Sequence, residues 1–238
     1  MRILKYTLIF LILKVLFSCN NALTNIKNDG IAIDTINSFS KFDDNELFNT
    51  KEELNSMTKI KFADFTLTIS QLVIWDEKKE LDKIQKDSVY LSVELGETVE
   101  EQLISIKTTQ LTNIKIEQRY ETSITIMDEG THCDLTEWKH YYSEWKHLKK
   151  INTEQFICEK YDESDWVKFP KIDIDELKGE VKKQCGDRWY DLVKDIKSPT
   201  EYPSGVSISR YFLRVIGLNK ENGQVITKII IFETPMGC

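Results

Sequence analysis

Between Ile114 and Ile126 the chain alternates with period two. Ile114, Ile116, Gln118, Tyr120, Thr122, Ile124 and Ile126 fall on one side, and Lys115, Glu117, Arg119, Glu121, Ser123 and Thr125 on the other. A helix would scatter both sets round its axis, whereas an extended strand gathers each on one face. At about 3.3 Å per residue such a strand reaches roughly 40 Å, so a bend, a bulge or a division into two strands is expected. One apolar and one polar face predict antiparallel pairing with the polar face in water.

Other segments repeat the signal. Phe65, Leu67 and Ile69 alternate with Thr66, Thr68 and Ser70, and Val89, Leu91, Val93 and Leu95 do the same. Val206 to Leu218 and Val225 to Phe232 are β-branched and aromatic runs joined through Asn222-Gly223, a step that favours the positive φ of hairpin turns. Ile229 to Phe232 is apolar on both faces, which predicts a central strand with a helix on its second side. Thr50 to Glu53 has capping-box spacing for a short helix over Lys51 to Met57. Asp173 to Ile196 reads as helix, with Gly186 either breaking it or tolerated. All four prolines, Pro170, Pro199, Pro203 and Pro235, stand at element ends. Trp166 and Trp189 read as core or as flaps over a sheet edge, and Trp75 as a strand end entering the charged run Asp76 to Lys79.

The N-terminus has a separate logic. Arg2 and Lys5 precede an apolar run from Tyr6 to Phe17, interrupted only by Thr7 and Lys14. This is the layout of a secretory signal, and it is shorter than the roughly 20 apolar residues that a spanning helix needs. Leu16-Phe17-Ser18-Cys19 then resembles the lipobox of bacterial lipoproteins, with an aliphatic residue three before the cysteine and a small one directly before it. The resemblance covers residues 1–19 and implies that Cys19 receives a diacylglyceryl group, that the peptide is cut before it, and that the new amino group is acylated. Several acyl chains at about 0.8 kcal/mol per buried methylene make a lasting anchor. The expected organisation is a signal peptide over 1–18, the lipidated cysteine with an Asn-, Asp-, Ser- and Thr-rich tether over 19–45, and one domain over 46–238. Within the tether, Ile31-Ala32-Ile33 reads as a short strand.

Charge and cysteines agree with export. Lys and Arg total 32 against 39 acids, a net charge of -7, and removal of residues 1–18 takes away three more cations. No nucleic-acid footprint is visible in such a balance. With Cys19 lipidated, Cys133, Cys158, Cys185 and Cys238 remain, an even number that predicts two disulfides. Three pairings are open; Cys133 with Cys158 and Cys185 with Cys238 is preferred because the second pair pins the last residue. No two are spaced CxxC, so a zinc-thiolate site is not signalled.

Residues 137 to 148 read EWKHYYSEWKHL, with Glu-Trp-Lys-His twice, seven apart. Asp134 and Glu137 suit the start of a helix over Leu135 to Lys150. At about 100° per residue, Leu135, Trp138, Tyr141, Tyr142, Trp145 and Leu148 share an apolar arc, and His140, Ser143 and His147 lie opposite, with Glu137 and Glu144 at the edge. Three functional readings stand beside a plain amphipathic helix. ExxH occurs twice, but His140 and His147 would be about 10 Å apart along the axis and cannot share a metal. Trp138 and Trp145 suit sugar stacking. Glu137, His140, Glu144 and His147 suit contact with a protein partner. No catalytic signature is present: GxSxG, HExxH and the phosphate-cradling glycine loop are absent, and Cys133 beside His132 is better explained by bridging. No cofactor is implied.

The chain therefore predicts an α+β fold, a mainly antiparallel sheet with two or three helices packed on it. The expected function, by class-level analogy, is that of a lipid-anchored protein of the bacterial cell envelope that binds a protein partner without catalysis, as an inhibitor or immunity-type factor does. The alternative is an envelope glycan-binding protein or an enzyme whose site is assembled from residues distant in sequence.

Overall fold

The alternating segment is a single strand, β6 (Leu111–Asp128), eighteen residues long. It pairs antiparallel with β12 (Ser204–Asn219), and the two strands slip register twice. Two residues of β12 match three of β6 around Asn113, which takes φ 52°, and an extra residue stands on β12 at Ser209. These bulges are the relief that so long a pair needs to follow a twisted sheet. The computed structural model that shows this describes residues 57–75 and 80–236. The lipobox and Cys19, the tether, the strand expected at Ile31 to Ile33, the helix expected from Lys51, the run Asp76 to Lys79 and Cys238 lie outside the described residues, Met57 excepted.

The hairpin closes as its turn residues dictate. Gly223 has φ 70°, Asn219 and Gln224 are bonded through their backbones at 2.8 Å, and β13 (Val225–Glu233) returns along β12. β4 (Ser88–Ser92) adds to β13 in parallel, giving the order β4-β13-β12-β6-β7 with β7 (Thr131–Asp134) at the far side. The second sheet has six strands, in the order β10 (Lys149–Lys150), β11 (Gln155–Ile157), β5 (Leu103–Lys107), β2 (Thr66–Ile69), β1 (Thr58–Phe62) and β3 (Glu80–Ile84). Among the described strands, only β13 with β4 and β1 with β3 are parallel. The fold is α+β with sheet-dominated packing, as the alternation predicts.

The sheets pack face to face. Ile60, Leu67, Ile69, Ile104 and Ile106 of one meet Ile116, Tyr120, Leu213, Val215, Ile230 and Phe232 of the other in the main core. Near its end β6 leaves that partner sheet, and Ile124 and Ile126 pack instead on Leu135, Leu177, Val181, Val193 and Ile196. These come partly from α2 (Ile174–Cys185) and α3 (Asp187–Val193), which Gly186 separates at φ 90°. Gly186 thus breaks the helix expected over 173–196, because a left-handed residue ends the α2 hydrogen-bond ladder. Between the two cores, α1 (Glu163–Trp166) brings Asp165 to accept from the Tyr120 hydroxyl at 3.0 Å, and Thr122 donates to the Lys168 carbonyl.

Four expectations are corrected. The segment 135–150 is not a helix: it runs along the free edge of β6, touching it through Leu135, β8 (Tyr141–Tyr142), Ser143, β9 (Lys146–His147) and Leu148. Among the described residues the second face of β13 has no helix; the helices sit on Ile124, Ile126 and Val206. The cysteine pairing is Cys133 with Cys185, at a Cα separation of 6.2 Å, and Cys158 is a buried free thiol. Cys158 lies in the main core, where burial pushes its thiol pKa far up, so neither preferred pair forms. Leu95, expected on the buried face of its strand, is exposed.

Candidate binding face

The polar face of β6 is where the chain assembles most of its chemistry. Cross-strand register sets three rows on the outer side of the seven-stranded sheet. The first runs Ser92, Glu233, Arg210, Glu121, Tyr142; the second Tyr90, Ile231, Phe212, Arg119; the third Ser88, Ile229, Arg214, Glu117, His147. At about 4.8 Å between strands, the second row alone spans roughly 14 Å.

The first row is an ion network around one buried carboxylate. Glu121 is 0% exposed. Arg210 donates to Glu121 at 3.2 Å, to Glu137 at 2.6 Å and to Glu233 at 3.2 Å. Burial opposes the Arg210 charge, but the bond to Glu137 and the charges of Glu121, Glu137 and Glu233 prevail and raise its pKa. The same bond holds the Glu137 carboxyl below the usual range. His140 Nδ1 lies 3.3 Å from Glu121, and Ser123 Oγ stands 3.2 Å from His140 and 2.8 Å from Ser209 Oγ.

The second and third rows join arginines to rings. The Arg119 guanidinium lies 4.7 Å from the centre of Tyr142, 4.6 Å from Trp145 and 4.8 Å from Phe212. Arg214 lies 4.1 Å from the same Trp145 and bonds Glu117 through Nε at 2.6 Å. His147 approaches Glu117 at 3.4 Å. Arg119 differs from its two neighbours: its Nε is buried without a partner, and among the described residues its side chain makes no hydrogen bond or ion pair. Partial burial, together with the like charge of Arg214, holds its pKa below the ordinary arginine value, against Tyr142 and Glu121. At the margins the face offers Trp75, 71% exposed, Tyr90, 62%, and Tyr142, 45%. Trp75 joins beside β4, its N–H donating to the Ser92 carbonyl at 2.8 Å.

Of the residues singled out in the sequence, Glu137 and His140 belong to the Arg210 network, His147 flanks Glu117, and Glu144 is exposed without a role in the rows. His140 and His147 sit on different carboxylates. Trp145 stacks with arginines, while Trp138 packs against the helix-side core. The sequence reading missed Arg119, Arg210, Arg214, Phe212 and Tyr90. Their signal was the match of Arg210, Phe212 and Arg214 on one strand with Glu121, Arg119 and Glu117 on the other, which needs the register to be seen.

Elsewhere the described residues form open depressions that include these two. One, of about 470 Å³, is lined by Leu95, Trp166, Ser207, Tyr211, Pro235 and Met236, and the other, of about 500 Å³, by the Phe62–Thr66 and Lys107–Gln110 turns. Neither sets a nucleophile beside a base. Among the described residues no three His, Cys, Asp or Glu side chains converge on a metal position, and no helix is long and apolar enough to cross a membrane. Comparison with family models, curated proteins and solved structures finds no match.

Proposed function

We propose that this protein is a lipid-anchored component of the bacterial cell envelope that binds a protein partner without catalysis, through the outer face of its seven-stranded sheet. The observation that carries the reading is the composition of that face. Tyrosine, tryptophan and arginine are the residues that dominate the energetics of protein interfaces. Here they stand in register on a rigid sheet, with Tyr90 and Tyr142 exposed beside nearly buried Ile231 and Phe212. The Cys133–Cys185 bridge supports an oxidising compartment, and the lipobox resemblance at Leu16 to Cys19 supports anchoring there. An inhibitor or immunity-type role suits a chain whose described residues present such a face.

Cell fractionation tests the anchor. The wild-type chain is expected in the membrane fraction and Cys19→Ala in the soluble fraction; equal membrane retention of both would remove the lipid anchor from the account. Capture of the tagged chain from gently solubilised envelopes tests the face. A near-stoichiometric protein is expected with the wild type, reduced at least tenfold by Tyr90→Ala with Tyr142→Ala, both exposed positions whose loss leaves the core intact. Retention of glycan instead of protein would favour the alternative, for which the exposed rings of Trp75, Tyr90 and Tyr142 are the supporting observation.

A further inference from the structure

We propose that Arg119 is a receptor for the carboxylate of an acidic side chain on the protein partner; this rests on the outer sheet face being the binding face. Three arginines stand on that face. Arg210 is matched by Glu121, Glu137 and Glu233, and Arg214 by Glu117. Arg119 has no such match among the described residues, although three rings hold it within 4.8 Å of their centres. Its Nε is buried and unpartnered. A buried donor left without an acceptor is unfavourable, because it has given up water and gained no partner. The chain keeps it in a half-buried, stacked position where an arriving acceptor would relieve that cost.

Geometry and charge narrow the acceptor. A guanidinium is a planar fork that matches a carboxylate through two parallel bonds, and the stacking rings fix the fork before any ligand arrives. Glu117 and Glu121 lie two residues away on the same strand and face. They disfavour a phosphate dianion more than a single carboxylate. The walls of the position are Tyr142, Trp145 and Phe212, with Ile231 next in the row. These suit the methylenes of a glutamate or aspartate and an apolar neighbour. An acidic sugar would bring several hydroxyls, and Ile231 and Phe212 have no polar group to meet them.

The test is a titration of the full chain in mild detergent, following the Arg119 Nε–Hε and Trp145 indole signals by nitrogen–proton NMR. Four probes are used: an acetylated, amidated Leu-Glu-Leu peptide, its Leu-Gln-Leu counterpart, inorganic phosphate and glucuronate. Saturable movement of both signals is expected with the glutamate peptide, at least tenfold weaker with the other three. In Arg119→Lys, which keeps the charge but not the fork, the glutamate response should fall at least tenfold while signals remote from the face stay in place. Equal binding of the glutamine peptide, tighter binding of phosphate or glucuronate, an unaltered response in Arg119→Lys, or no saturable movement with the glutamate peptide would each overturn the proposal. If envelope capture still depends on Tyr90 and Tyr142, only the role of Arg119 is lost; if capture fails as well, the binding face itself is wrong.

Discussion

Replacing Arg210 by Met is expected to destabilise the protein by about 3–5 kcal/mol, the loss typical of removing one partner from a buried ion pair. The cost falls unequally on the three carboxylates that Arg210 serves. Glu137 and Glu233 have side chains 75% and 42% exposed and regain water, so their lost pairing matters little. Glu121 has a side chain only 1% exposed. It would keep the Ser209 hydroxyl at 3.2 Å, His140 at 3.3 Å and the neighbouring Tyr142 hydroxyl, none of which carries a fixed positive charge. Two companion variants make the argument specific. Glu137→Gln should cost less than about 1 kcal/mol, and Glu121→Leu combined with Arg210→Met should recover much of the loss, since an apolar pair can replace a buried ionic one. Urea denaturation measures all three. A loss below about 0.5 kcal/mol for Arg210→Met would mean that the network is not formed as described.

Opening the Cys133–Cys185 bridge is the second large effect. The two cysteines are 52 residues apart in sequence, and the chain-entropy relation for a loop of that length gives about 4 kcal/mol. The bridge joins β7 to the last residue of α2, at the margin of the core formed by Ile124, Ile126, Leu177 and Val181. Cys133→Ala with Cys185→Ala should therefore lower unfolding stability by about that amount. Amide exchange should accelerate first in α2 and α3, while β1, β2 and β5, whose core does not include the bridge, stay protected until global unfolding. Unchanged stability and exchange would show that the bond does not constrain the native chain.

The elements legible in sequence are those governed by local rules. Period-two alternation located β2, β4 and β6, β-branched and aromatic runs located β12 and β13, and Asn222-Gly223 located the turn between those two. Gly186 left two readings open in sequence, a break or a tolerated glycine, and its φ of 90° makes it the break. The stretch 135–150 misled because contacts every three or four residues arise in two ways. A helix produces them by its pitch, and here an edge segment produces them by touching β6 at Leu135, Tyr141–Tyr142 and Leu148 between short excursions. Ser143 shows the difference: its N–H donates to the Tyr120 carbonyl and its hydroxyl accepts from the Tyr120 N–H, each at 3.0 Å. A residue assigned to water is thus bonded to a strand 23 positions away. The proposed binding face was hidden for a related reason. Glu117, Arg119 and Glu121 read as a solvated stripe until β12, about ninety residues downstream, sets Arg210, Phe212 and Arg214 beside them. No single-segment periodicity contains that register.

The most direct test of the account is photo-cross-linking in living cells, with a photoreactive amino acid placed at Tyr90 on the outer sheet face or, as a control, at the exposed Asn152 near the six-stranded sheet. The account predicts one discrete protein adduct from position 90 and none from position 152. Adducts only from position 152, or none from position 90 in cells whose membranes carry the chain, would contradict it.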